Sequence, residues 1–362
     1  MSAPNLNAIP KERRMNRRML TASAVLALSL VATGAARAGI ENAGTTAANF
    51  LALGSGARTL SMGGATLGFG SDVGATSWNA AALGWVGAPQ LVLSHAGLTN
   101  TSLQEWVAYG TRAGHSQTHW SVAGLYQGDG TFQGRDATGA PTGTFSLSSM
   151  AFGATVAQQF GENVTMGFGS KFVNENLGTT TGWGVTFDGG LMMRSGPFGL
   201  GVAAQNLGGQ MHYGSLVYRF PGNIGAGIAY QHPNSGLRLA IDANFPTAYY
   251  SDVRAGVEWM WHDMLALRAG YRKEMGSNED ALTGPSFGVG GGHNGMWVDY
   301  GYLISSTGDS QHRLGLRLDL GRLGIGGEPF GQSDMPQDFD QAKPARSDPS
   351  LIGPPAPKRK KS

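Results

Sequence analysis

The sequence predicts an all-β fold, a transmembrane antiparallel up-and-down β-barrel of about fourteen strands. Three observations predict it: apolar and polar residues alternate in many successive segments, connector lengths alternate by parity, and a secretion signal stands in front. The alternation is clearest from Leu237 onward, where Leu237, Leu239, Ile241, Ala243 and Phe245 share one face and Arg238, Ala240, Asp242 and Asn244 the other. Val253, Ala255, Val257, Trp259 and Trp261 then oppose Asp252, Arg254, Gly256, Glu258 and Met260. Leu265, Leu267, Ala269 and Tyr271 oppose Ala266, Arg268, Gly270 and Arg272, and Leu314, Leu316, Leu318 and Leu320 oppose Arg313, Gly315, Arg317 and Asp319. A period of two is that of a β-strand, whose side chains point alternately to opposite faces. A soluble β-sandwich also alternates. The number of such strands in series, with Trp and Tyr near the ends of the apolar faces, favours apolar rows toward lipid and polar rows toward a lumen.

The predicted strands are 89–97, 102–112, 117–128, 144–160, 164–175, 182–194, 198–207, 222–231, 237–245, 251–261, 264–272, 285–292, 296–303 and 310–320. Glycine blurs the alternation in 198–207 and 285–292. Connectors after even-numbered strands are tight and carry Gly, Asn and Pro turn chemistry: 113–116, 161–163, 195–197, 232–236, 262–263 and 293–295. Several after odd-numbered strands are long: 129–143, 208–221 and 273–284. A barrel with short periplasmic turns and longer external loops predicts this parity, and a sandwich gives no reason for it.

Composition agrees. Charged residues make up only 14% of the 362, yet past the signal no run reaches the roughly 18 apolar residues of a membrane-crossing helix. The 58 glycines show no Gly-X-Y period, so collagen is excluded, and barrels use Gly where strands bend or lumenal space is tight. The absence of Cys removes thiolate metal sites, thiol nucleophiles, disulfides and lipid attachment at a lipobox. A formal charge of +2 argues against a nucleic-acid partner.

The two ends stand apart. Lys11 to Arg18 is a basic n-region, Met19 to Val31 an apolar h-region, and Ala36-Arg37-Ala38 an A-x-A cleavage site. Residues 1–38 are therefore expected to be a signal peptide and 39–87 a Gly/Ala-rich lead segment, followed by the strand array 88–320. The Pro-, Gly- and Asp-rich stretch 321–362, ending Pro357-Lys-Arg-Lys-Lys361, is expected to be a disordered periplasmic tail. Arg313-Leu-Gly-Leu-Arg-Leu318 has the polar-x-Gly-apolar-x-apolar form that resembles the signal read by the outer-membrane barrel assembly machinery, which makes that machinery an expected partner, with outer-membrane lipid around the wall.

Opposite charges fall on neighbouring predicted strands: Arg238 and Asp242, then Asp252, Arg254 and Glu258, then Arg268, then Asp299, then Arg313 and Arg317. Cross-strand ion pairs that hold lumenal side chains are the expected use, with a selectivity lining for a polar solute the alternative. No enzyme, cofactor or metal is expected. The eight histidines are scattered without ligand spacing, no G-x-S-x-G elbow or P-loop is present, and the glycines of 288–292 lack a dinucleotide fingerprint.

The lead segment holds the most distinctive residues. Gly56-Ala-Arg-Thr-Leu-Ser-Met-Gly-Gly-Ala65 is followed by Ser71-Asp72 and by Trp78-Asn-Ala-Ala-Ala-Leu83. In these stretches the chain resembles the PorV/PorQ family, within the superfamily of FadL-like long-chain fatty acid transporters. It departs from the family pattern by Ser71 in place of a first acid and Ala80 in place of a proline. The resemblance implies a barrel whose N-terminal segment folds into the lumen as a hatch, marked by Gly56, Arg58, Met62, Gly63, Gly64, Asp72, Trp78 and Asn79. Small residues suit a segment passing close to a wall. Arg58 and Asp72 are placed to pair with lumenal charges, Asn79 to cap the next turn, and Ala47–Leu53 to form a short helix. In function the resemblance implies a plugged channel for hydrophobic or amphipathic small molecules. It also implies an alternative, a type IX secretion component that binds or shuttles secreted protein substrates; a diffusive porin ranks third. Gly167/Gly169 and Gly225/Gly227 are the expected sites of a wall kink for sideways release, and Met260 and Trp297 are expected lumenal apolar positions.

Overall fold

The computed structural model describes residues 44–70, 72–99, 101–276, 283–306 and 310–325. The signal peptide, most of the tail and the cleavage site lie outside them. The strands are β1 (Gln90–Gly97), β2 (Leu103–Arg112), β3 (Thr118–Arg135), β4 (Pro141–Phe160), β5 (Val164–Leu177), β6 (Thr181–Ser195), β7 (Phe198–Leu207), β8 (Met211–Tyr213) and β9 (Leu216–Tyr218). They continue as β10 (Asn223–Gln231), β11 (Leu237–Pro246), β12 (Asp252–Trp261), β13 (Leu265–Glu274), β14 (Gly284–His293), β15 (Met296–Leu303) and β16 (Gln311–Asp319). Each wall strand pairs antiparallel with the next, and β1 pairs with β16 from Gln90 opposite Asp319 to Gly97 opposite His312, which closes the barrel. β7 pairs directly with β10, so β8 and β9 stand outside the wall as a small hairpin on the projecting end of β6. Of the sixteen strands, fourteen form the closed wall.

Closure leaves the wall no free edge and satisfies its backbone groups between strands. The alternation sorts side chains as expected. Phe152, Phe168, Ile241, Leu267, Val298 and Leu314 project outward and are exposed, while Arg238, Asp242, Arg254, Glu258, Arg268, Asp299 and Arg313 are buried in the bore. Turns at one end are short. The opposite end carries the longer connections, including the β8–β9 hairpin.

The structure corrects several boundaries. Most of 129–143 is strand, not loop: Thr131 pairs with Ser146, Phe132 with Phe145 and Gln133 with Thr144, so β3 and β4 run on past the wall as a long hairpin. Thr, Ser and Gly in that stretch read locally as loop, and cross-strand pairing overrides them. The hairpin turns at Asp136, whose carboxylate accepts from the Thr138 hydroxyl and the Thr138 and Ala140 amides. Those bonds, the Thr138 hydroxyl first, hold the carboxyl below its usual range. The stretch 208–221 holds β8 and β9 rather than open loop, and Ala47–Leu53 yields only a 3-10 turn at Asn49–Leu53.

The expected kinks at Gly167/Gly169 and Gly225/Gly227 are absent; the register runs unbroken through both pairs. Gly167, Gly225 and Gly227 instead make room in the bore. A Cβ on Gly167 would lie 2.3 Å from the Ala80 carbonyl, and one on Gly227 would lie 1.9 Å from an Asp242 carboxylate oxygen. Register shifts fall at Gly128/Thr131, Gly134/Arg135 and Phe187/Gly189.

Candidate functional site

Residues 44–87 run through the bore from the long-loop end to the short-turn end. Near the first, Thr46 bridges Arg219 just past β9, and the Ala48 amide donates to Glu175 of β5. Tyr213 of β8 and Ser149 of β4 donate to the same carboxylate. Burial first, and then Glu175, push the Tyr213 hydroxyl up from its ordinary pKa. After the Asn49–Leu53 turn comes the helix α1 (Ala57–Ser61), kept to five residues by positive-φ glycines, Gly56 at its N-cap and Gly63 and Gly64 just past its C-cap. Residues 62–70 cross the bore. Asp72 then caps a 3-10 turn over Val73–Ser77 through the Ala75 amide, and Asn79 caps Ala80–Trp85 through the Ala81 amide.

On the β11–β16 side the segment is seated on glycine and tied by charge. A Cβ on Gly270 would lie 2.1 Å from the Gly63 nitrogen, one on Gly256 2.5 Å from the Met62 carbonyl, and one on Gly288 2.1 Å from the Ser61 hydroxyl. Backbone therefore lies directly on backbone at Gly256 and Gly270, which sequence reading places only as inward-facing positions. Glu258, fully buried, accepts from Arg58 of the lead segment and from Arg238 and Arg268 of the wall. Arg268 reaches on to Asp299 at 2.7 Å. Asp72 bridges Arg58 at 2.6 Å and Arg317 at 2.8 Å, and Arg317 lies over the Trp297 ring. Asp252 holds Arg254 and Arg272. Asp242 accepts the Thr66 and Leu67 amides at 2.6 and 2.9 Å, and Ser286 accepts the Gly63 amide. Arg313 is tied to the Gln104 and Gln311 side chains and the Gly54 carbonyl, not to a carboxylate.

Of the marked lead-segment residues, Arg58 and Asp72 thus meet the wall charges directly. Met62, Gly63 and Gly64 lie against β12 and β13, and Trp78 stacks under the Arg254 guanidinium, 5.4 Å from the ring centre. Asn79 reaches across to Val202 of β7 and to Leu67 of its own segment. Gly56 caps α1 in a left-handed conformation without touching the wall.

On the β1–β6 side contacts are largely uncharged. Val73, Leu83 and Val86 pack on Val92, Trp106, Ala108 and Ala157. The Thr165 hydroxyl donates to the Ala81 carbonyl, and Trp85 closes the short-turn end beneath Arg194, whose guanidinium stands 4.2 Å from the ring centre. A cavity of about 60 Å³ remains between Leu51, Gly54, Ser55, Thr76 and Ser77 and the wall residues Trp106, Ala123, Leu125, Ala151, Lys171 and Asp188. A second, of about 20 Å³, lies toward the long-loop end among Leu53, Leu60, Trp78, Arg254, Pro285, Leu303 and Gln311.

Sequence reading did not single out Lys171, Asp188 and Asn206. Lys171 donates to Asp188 and to the Asn206 side chain, and the Asn206 amide donates to Asp188. Asn206 is left-handed where the β6–β7 register shifts, so this cluster stands at the wall bulge beside the larger cavity. Its signal was a parity one: Lys171 and Glu175 share the inward face of β5 with Thr165 and small residues.

No family model matches the chain, and no curated protein does. Solved structures do. The Ralstonia pickettii toluene transporter TbuX matches with a TM-score of 0.54 at 14% identity, over 74% of this chain and 98% of that one. In fold, the chain is similar to TbuX. The monoaromatic hydrocarbon channel TodX, as a mutant, is similar with a TM-score of 0.48 at 13% identity, over 73% of this chain and 96% of that one. A Pseudomonas aeruginosa FadL homologue is similar with a TM-score of 0.48 at 10% identity, over 73% and 98%.

Proposed function

We propose that this protein is an outer-membrane channel that admits small, uncharged hydrophobic molecules past a hatch formed by residues 44–87. The observation that carries this reading is the way the bore is filled. Most of its charges are paired with one another or with the lead segment, and the larger cavity left over sets the apolar Leu51, Trp106, Ala123, Leu125 and Ala151 beside small hydroxyl residues and the Lys171–Asp188 pair. A sugar-sized polar solute needs a continuous wet path lined by free hydrogen-bonding groups. A hydrocarbon needs only apolar space. Lys171 is occupied by Asp188 at 2.8 Å, which favours a neutral ligand over a carboxylate.

The apolar outward wall fits a membrane, the parity of the connections supports an orientation with the long-loop end outside the cell, and the fold likeness to a toluene transporter agrees. At that end the stacked Phe132 and Phe145 offer a greasy entrance, and the bulge at Phe187/Gly189 beside Asp188 offers a sideways exit into the bilayer. The barrel assembly machinery would receive the chain through Arg313–Leu318 of β16. Handling of secreted protein substrates has one point in its favour, the exposed apolar face Leu216–Tyr218 on β9.

Uptake of labelled toluene and sucrose by cells with a lipopolysaccharide outer leaflet, with and without the protein, tests the reading. Expression should raise initial toluene uptake several-fold and leave sucrose entry unchanged. Faster sucrose entry with unchanged toluene entry would make the protein a porin.

A further inference from the structure

The two cavities are neighbours separated by a thin partition. Leu53 and Trp78 line the smaller one, while Gly54, Ser55, Thr76 and Ser77 line the larger. Each of the two chain stretches 53–55 and 76–78 therefore has one cavity on either side. The stretches are joined by the Trp78 indole, whose Nε1–H donates to the Ser55 carbonyl at 2.9 Å. The six-membered edge of the ring lies against Gly54, where a Cβ would fall 2.2 Å from it. The Arg254 guanidinium stands over the ring. The polar contacts of the ring, with Ser55 and Arg254, lie outside the Glu258 and Asp72 clusters that fix the rest of the segment.

From this we infer that Trp78 is the side chain that sets the size limit of the channel, its indole swinging aside to join the outer cavity to the inner one. The inference rests on the transport reading and deepens it. One hydrogen bond, one guanidinium–ring contact and packing in a buried cluster with Leu60, Leu67 and Ala203 hold the ring in its resting place. The cavities of about 60 and 20 Å³ are smaller than the roughly 150 Å³ that holds benzene, so a one-ring hydrocarbon passes only when the indole swings aside, and a larger molecule only when it is removed.

Initial uptake of toluene and of the two-ring naphthalene, measured in whole cells, tests it with Trp78→Ala and Trp78→Phe. Trp78→Phe keeps a ring but lacks the donor, and it serves if the alanine variant does not assemble; heat-modifiable gel mobility reports assembly for each. Trp78→Ala, which loses the ring as well as its hydrogen bond, should raise naphthalene relative to toluene about fivefold or more, and Trp78→Phe, which loses the hydrogen bond alone, by less. An unchanged ratio in an assembled variant, while the wild type transports toluene, overturns the role of Trp78. A wild type that accelerates neither compound overturns the transport reading itself.

Discussion

The two sides of the bore hold the same lead segment by different means. Across β11–β16, backbone rests on glycine and buried carboxylates grip the segment at Arg58, Thr66 and Leu67. Across β1–β6, apolar side chains meet apolar side chains around the larger cavity, and the close polar and backbone contacts are chiefly those of Glu175 at Ala48 and of Gly167 and Gly190 at Asn79–Ala81. Charge-assisted hydrogen bonds in a dry interior are directional and costly to break one at a time, whereas apolar contacts slide. The comparison teaches that the segment is built as a fixed girder on one side and a yielding face on the other. A passage is expected to start at the smaller cavity beside the gripping wall and to run on along the yielding face.

The largest expected effect is at the hub of the gripping side. Glu258→Gln leaves Arg58, Arg238 and Arg268 buried without their shared counter-charge, which should cost about 3–5 kcal/mol and free the segment. Planar-bilayer recordings should then show ion-conducting openings that the wild type lacks. Unchanged currents would mean that the ion pairs do not hold the segment. A smaller effect comes from one substitution made on both sides. Gly270→Ala puts a methyl 2.1 Å from backbone atoms of Met62 and Gly63, and such overpacking costs about 1–3 kcal/mol. Gly153→Ala, which lines the cavity on β4, meets nothing closer than 3.4 Å and should stay within about 1 kcal/mol of the wild type. Thermal unfolding in detergent compares them; equal losses would erase the contrast between the two walls.

Much of the barrel was legible in the sequence because a period of two and the parity of turns are properties of single strands and their connectors. Leu237–Phe245 announces its inward and outward faces without reference to any neighbour. The β3–β4 extension was not legible, because Thr131, Ser146 and their neighbours become strand only by pairing with each other. The inward glycines were read as noise, as kinks or only as inward-facing positions. A missing side chain reveals its purpose only when the backbone that replaces it is known, as Met62 is for Gly256. The site was legible where one residue acts on its own locality, as Asn79 does in capping a turn. It was illegible where three strands converge, as at Lys171, Asp188 and Asn206.

Hydrogen exchange of the lead segment, followed by mass spectrometry on the protein in lipid bilayers, tests the central claim most directly. Peptides covering Met62–Gly70, whose amides bond to Asp242 and Ser286, should exchange at least about tenfold more slowly than those covering Val73–Trp78, and added toluene should slow only the latter. Equal protection of both stretches, or slowing by toluene confined to Met62–Gly70, would contradict an account in which one wall grips and the other yields.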